Sequence, residues 1–148
     1  MKIVIQTAAA FLAITAFSVI LYTSKKHVPF CGLAGALGWF TYLILEPLGL
    51  GVVLRNFYAA LAVAFLSHLF ARMLKAPVTI FLATGILPMV PGAGMYQIAY
   101  QMLIGDYEQT SFYLIQTIQI AGVIALAVLV TDSFFRLFWK RNKPKQPT

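Results

Sequence analysis

An all-α integral membrane protein with five transmembrane helices, the fourth of them broken, is the fold class this sequence predicts. Two observations predict the class. The chain of 148 residues is 61% hydrophobic and only 10% charged, with a mean hydropathy of +0.85, whereas soluble domains carry about a quarter charged residues. Its apolar runs also reach the roughly 20 residues that a helix needs to cross a bilayer. A third observation predicts the break. From Pro77 to Gly105 the sequence PVTIFLATGILPMVPGAGMYQIAYQMLIG holds no charge and is interrupted by Pro88, Pro91, Gly92 and Gly94. A soluble chain of this size has no core large enough to bury such a run. In lipid, backbone leaves the helical path only where protein or a water-lined cavity satisfies its polar groups.

The elements follow in order within one transmembrane domain, 1–135. The first helix, about 3–23, has only Lys2 before its apolar stretch and ends at Lys25-Lys26 without a small-residue cleavage pattern. It is expected to be a retained span rather than a cleaved signal. The second helix, 28–45, starts with Pro29 in its first turn, where proline is tolerated. Its Gly32, Gly35 and Gly38 recur every three residues, and Ala34 stands four before Gly38. Small residues at such spacings let membrane helices approach closely, and a solute path beside flexible glycines is the other reading. Glu46-Pro47 stops this helix, and PLGLGVV connects it onward. A third helix, 51–73, has an uncharged core from Asn56 to Ala71, so Arg55 and Arg72 are expected to snorkel to opposite surfaces. The fourth, 77–104, is broken near 88–94. After the polar, acidic link GDYEQT, a fifth helix at 111–135 leads into a basic tail, 136–148.

Charge tests this count. With five crossings, one side receives nine basic residues: Lys25, Lys26, Arg72, Lys75, Arg136, Lys140, Arg141, Lys143 and Lys145. The other receives Lys2 and Arg55 with Glu46, Asp106 and Glu108. That split is a strong positive-inside signal. It puts the N-terminus outside and the C-terminus in the cytoplasm, and it disappears if 28–45 does not cross. The net charge of +7 is therefore an orientation signal and not a nucleic-acid footprint, since aromatic and basic residues are not interleaved. The lone Cys31 excludes an internal disulfide and a cysteine-rich metal site. No metal, cofactor or catalytic residue is expected, because no acid–base pair, ligand cluster or phosphate loop occurs.

The candidate substrate site is the break. Pro88 and Pro91 lack an N–H, and Gly92 and Gly94 permit backbone geometry closed to other residues. The helix that restarts there offers free N–H groups and a positive dipole end, which suit a carboxylate; an ordinary proline kink is the bland alternative. Tyr96, Gln97, Tyr100 and Gln101 form two i,i+4 pairs on adjoining stripes, and Gln116, Thr117 and Gln119 add a similar stripe to the fifth helix. They either line a polar cavity or hydrogen-bond between helices. Asp132, inside an apolar run, either pairs with Arg136 one turn on or serves proton coupling or gating. His68 is a second candidate for proton handling. Glu46 is a third, at the outer mouth, unless it merely ends a helix. An odd, small set of spans resembles one half of an inverted-repeat transporter, so a second membrane subunit is expected to supply the other half, with self-association as a further possibility.

The segment GILPMVPGAGMY, with the Gly105-Asp106 turn after the next helix, resembles the small-subunit or C-terminal-domain type of the bacterial threonine/serine exporter family. That family carries a Pro-Leu-Val-Pro-Gly signature followed by a tyrosine. The match falls on Pro88, Met89, Val90, Pro91, Gly92 and Tyr96, with Met89 in place of leucine. The resemblance implies secondary export of threonine and serine from the cell across the inner membrane, by antiport driven by the proton gradient. It also implies a larger membrane subunit of the same family as partner. Some relatives are linked to export of a dicarboxylate such as succinate, and a non-transporting scaffold is the third reading.

Overall fold

The computed structural model describes residues 2–140. Among them it places six α-helices and one 3₁₀ turn, with no strand. The helices are α1 Lys2–Ile20, α2 Val28–Ile44, α3 Val52–Met73, α4 Val78–Gly85, α5 Gly92–Ile104 and α6 Tyr107–Lys140, and the 3₁₀ turn is Leu87–Met89, between α4 and α5. The all-helical class and the place of the break are as the sequence predicts. The expected tail, 136–148, begins inside α6 and lies from residue 141 onward outside the described residues.

Three helices are each long and apolar enough to cross a bilayer: α1, α3, and α6 over 107–137. The α4–3₁₀ segment and α5 pass the same test only together, bent by 46°, as a broken span or a re-entrant loop. α2 is an apolar helix of 17 residues, at the short limit for a crossing. Length and composition therefore give up to four spans, and a fifth rests on the charge argument alone.

α6 starts four residues earlier than expected, because the polar link is its cap. Asp106 accepts the Gln109 N–H through its carboxylate at 3.0 Å, and its carbonyl accepts the Thr110 N–H at 3.0 Å. Glu108 sits in the first turn, where a negative charge opposes the helix dipole favourably. α5 stops immediately before. Gly105 takes a left-handed φ of 81°, and the Asp106 N–H reaches back to the Gln101 carbonyl at 3.0 Å, as in a Schellman closure. Stop and restart share two residues, which folds α5 back along α6.

Small residues set the packing. Gly32 faces Thr15 and Phe11 of α1, and a Cβ on Gly35 would stand 2.8 Å from Ile14. Gly38 faces Val63 of α3 and Met89 of the 3₁₀ turn. The glycine face of α2 is thus a packing face on two neighbours. One buried cluster joins Cys31, Ala34, Phe70, Ala71 and Phe81. The other joins Ala59, Ala60, Val63, Met89 and Ala127, drawing α3, the 3₁₀ turn and α6 together. α1 buries only Ile14 and Ser18, α5 buries no residue, and α5 makes its helix contacts with α6 alone.

Gly38→Ala is expected to destabilise the detergent-solubilised protein by about 1–3 kcal/mol, the usual overpacking cost, because the new methyl meets Val63 and Met89. Gly122→Ala is the control: nothing lies within 4 Å of its Cβ position, so the helix gains about 0.5–1 kcal/mol. Thermal unfolding of the two variants should shift in opposite directions. Equal shifts would remove the close-packing account.

Candidate functional site

The break is built from two prolines in different roles. Pro88 has no N–H to give the carbonyl a turn back, so α4 ends and the chain tightens into the 3₁₀ turn. Met89 N–H bonds to the Ile86 carbonyl at 2.9 Å and Val90 N–H to the Leu87 carbonyl at 3.2 Å. Pro91 then forces its predecessor out of the helical region, and Val90 is extended at φ −58°, ψ 128°. Pro91 itself, at φ −76°, ψ 53°, centres an inverse γ-turn closed by Gly92 N–H to the Val90 carbonyl at 2.7 Å. α5 resumes with Met95 N–H on the Pro91 carbonyl at 3.0 Å, and among the described residues the Gly94 N–H has no acceptor outside the helix.

Gly92 and Gly94 do not act as expected. Among the described glycines only Gly49 and Gly105 have positive φ, so the turn at 88–92 is shaped by the prolines. Gly94 matters by close approach, since its Cα lies against the Thr117 side chain of α6. Gly92 is exposed, with open space around its Cα.

A cavity of about 230 Å³ opens at the break. Its walls are Trp39 and Tyr42 of α2, Val52 and Asn56 of α3, Pro88 to Pro91, Ala93 and Gly94 of α5, and Gln116, Thr117 and Ile120 of α6. It is smaller than drug-sized pockets, a fit for a small metabolite. The amino end of α5 therefore opens on the cavity, as a carboxylate site requires. Thr7, Thr15, Thr41, Ser67, Thr84 and Thr131 all return their hydroxyls to a carbonyl one turn back. Thr117 does not, and among the described residues neither its hydroxyl nor the Gln116 amide has a side-chain hydrogen bond.

Of the residues expected to bind solute, Pro88, Pro91, Gly94 and Gln116 meet in this cavity, while Gly92, Tyr96, Gln97, Tyr100 and Gln101 are not among its walls. The bend carries α5 away from α2 and α3 onto α6, and Gln97 and Gln101 are half-buried there. Tyr96 and Tyr100 are exposed and stacked on each other, ring centres 6.1 Å apart. Gln119 is exposed too.

Charged groups cluster at the two ends of α3. At the far end from the α2–α3 connection, Asp132 takes Arg136 Nε at 2.7 Å and stands 3.7 Å from His68 Nε2. Phe135 stacks on His68 at 4.5 Å and lies under the Arg72 guanidinium at 4.6 Å. Asp132 follows Thr117 by four helical turns, about 22 Å along α6, so this group is remote from the cavity. At the α2–α3 end, Glu46 Oε1 is 3.3 Å from Arg55 Nη1. Arg55 is not snorkelling: its side chain is only 11% exposed and lies 4.7 Å over the Tyr42 ring.

Trp39, Tyr42 and Asn56 are cavity walls that sequence reasoning missed, and it also missed the burial of Arg55 over Tyr42 beside them. A cation in the first turn of a helix opposes the dipole, and an amide beside it in an apolar run needs a partner. Those two anomalies mark Arg55-Asn56. Nothing local marks Trp39 and Tyr42, which reach the cavity through tertiary packing.

The sequence matches the family described as Threonine/Serine exporter, ThrE, over residues 6–134. A probable threonine/serine exporter of Mycobacterium tuberculosis is 26% identical over 106 residues, covering 72% of this chain and 20% of that protein. An uncharacterized protein of Haemophilus influenzae is 26% identical over 153 residues, covering 97% of this chain and 50% of its own length. The chain thus spans a fifth to a half of the curated relatives it matches. No solved structure matches it. With Pro88 to Pro91 on the cavity wall, and a match running nearly the whole described length, the chain belongs to the threonine/serine exporter family.

Proposed function

We propose that this chain is a subunit of a secondary transporter that exports threonine, serine or a related small carboxylate through the cavity at the Pro88–Pro91 break. One observation carries the reading: the amino end of α5 and the uncommitted polar groups of Gln116 and Thr117 converge on one cavity beside a broken span. Half-helix ends of that kind bind anionic groups at the midplane of many transporters. Dicarboxylate export, as of succinate, uses the same anion-binding end and is separated by the assay below.

In this reading the chain crosses five times, α2 included, with its N-terminus outside and its C-terminus in the cytoplasm of a bacterial inner membrane. The nine-to-two split of basic residues supports that orientation. A larger membrane subunit supplies the other half. The longer curated relatives support it, as do Tyr96 and Tyr100, which α5 leaves exposed and whose hydroxyls are costly to leave in lipid. Asp132, with His68 and Arg136 at its carboxylate and Arg72 across Phe135, serves proton coupling at the cytoplasmic end.

The assay is efflux of labelled threonine, serine and succinate from liposomes holding the chain and the membrane subunit it copurifies with. Export of at least one solute is expected. Gly94→Leu, which drives a side chain into Thr117, should lower that export about 100-fold, as misplacements of about 1 Å in a positioned site do, with the complex still assembled. No flux of any solute, or full activity in Gly94→Leu, contradicts the assignment.

Asp132→Asn removes the one group that balances His68 and Arg136. Efflux driven by a pH gradient should fall about tenfold or more, equivalent to 1.4 kcal/mol, while solute exchange at equal pH on both sides persists. Parallel loss of both modes would assign Asp132 to structure alone.

A further inference from the structure

The Arg55 guanidinium is buried, charged and incompletely partnered. Its Nε and Nη1 are both shielded from solvent and without a hydrogen bond. The 3.3 Å approach of Glu46 is an ion-pair contact rather than an aligned bond, and Glu46 is itself 64% exposed. An ion pair with one member in solvent is weak, whereas a buried cation with unspent donors is costly. The first-turn position of Arg55 in α3 adds the opposing helix dipole. All three terms favour a second, better-aligned anion at this guanidinium.

Arg55 also touches the cavity wall. It lies over the Tyr42 ring; Tyr42 stacks on Trp39 at 5.1 Å, and Trp39, Tyr42 and the adjoining Asn56 all line the cavity. A planar guanidinium resting on an aromatic face moves along it while keeping the cation–π contact. From there its Nε, one of the two unspent donors, and the Nη2 on the same edge match a carboxylate with two parallel hydrogen bonds.

We infer that Arg55 is the residue that recognises the carboxylate of the transported solute, and that Glu46 is the resting counter-ion which the solute displaces. The inference rests on the transport reading above and adds to it a binding residue at the α2–α3 end. Glu46 and the solute carboxylate compete for one guanidinium. The Glu46–Arg55 contact ties the α2–α3 connection down when the cavity is empty and releases it when a carboxylate arrives.

The test uses the full chain with its copurifying subunit in liposomes. It follows efflux of whichever of threonine, serine or succinate the wild type carries, with that solute and its uncharged-end analogue (threoninamide, serinamide or succinamide) as competitors. A charge-assisted bond pair gives the wild type a preference for acid over amide of about ten- to a hundredfold. Arg55→Gln is expected to bring that preference near unity and raise KM by a similar factor. Arg55→Lys should keep part of the preference. Glu46→Gln should lower KM, since a competitor has gone, with the preference intact. Membrane abundance of each variant is matched by immunoblot. Arg55 variants that retain the wild-type acid-over-amide preference overturn the inference while leaving the transport reading in place. So does a Glu46→Gln variant whose KM rises as in Arg55→Gln, the behaviour of a purely structural latch. Absence of wild-type flux for all three solutes overturns both.

Discussion

Backbone that leaves a helix inside a bilayer must find its hydrogen bonds and its packing within protein, and here Val63 is the fulcrum of that arrangement. It is fully buried, and its two methyl groups lie against the Cα positions of Gly38 in α2 and Gly85 at the end of α4. Met89, the last residue of the 3₁₀ turn, closes on the same glycine of α2 and is 2% exposed. Two absent side chains therefore let a third helix press directly on the broken span. The prolines say where the helix must fail; Gly38, Gly85 and Val63 hold the failed segment in one shape. Without that support the turn would have to be satisfied by water or lipid headgroups, and a defined cavity beside it would not persist.

The cavity's composition follows from the same packing. Three of its walls are contributed by helices that converge on the turn, and the fourth is α6, brought alongside by the shared stop and cap at Gly105-Asp106. Because α5 is folded back on α6 alone, Tyr96 and Tyr100 are directed away from the chain's own core. Two exposed tyrosines on a membrane helix with a solute-sized space at its amino end are the surface the proposed second subunit would cover. The two ion-pair groups stand at opposite ends of α3, Glu46–Arg55 beside the cavity and His68–Asp132–Arg136 about four helical turns along α6 from it. One helix thus connects the proposed carboxylate-binding end to the proposed proton-coupling end.

Much of the fold was legible because its signals are local. Hydropathy bounded α2 and α3 to within a residue or two, and Pro88 and Pro91 marked the break without ambiguity. The start of α6 was misjudged because GDYEQT was read by polarity, although Asp106 followed three residues later by Gln109 is a capping signal in its own right. The site was legible only in part. Pro88, Pro91, Gly94 and Gln116 stand in it, since prolines, glycines and amides in apolar runs are anomalies that periodicity exposes. Tyr96, Gln97, Tyr100 and Gln101 satisfied the same criterion but were carried off the cavity wall by a 46° bend that no local pattern specifies. Arg55 looked like a snorkelling charge because its burial depends on Tyr42, thirteen positions earlier, and on the return of the α2–α3 connection. Helix faces are written in sequence; which face meets which cavity is decided by packing at small residues far along the chain.

The central claim is that solute occupies the cavity at the break, and the Thr117 hydroxyl is its most direct reporter, lying on the cavity wall against Gly94. With Thr117→Cys in a Cys31→Ala background, modification by a small water-soluble thiol reagent measures access to that wall. The account predicts that labelling proceeds in the transport-competent complex and slows about tenfold when the transported solute is added near saturation, as mass-action occupancy of a site requires. Labelling at the same rate with and without solute, in a complex that still transports, would contradict it.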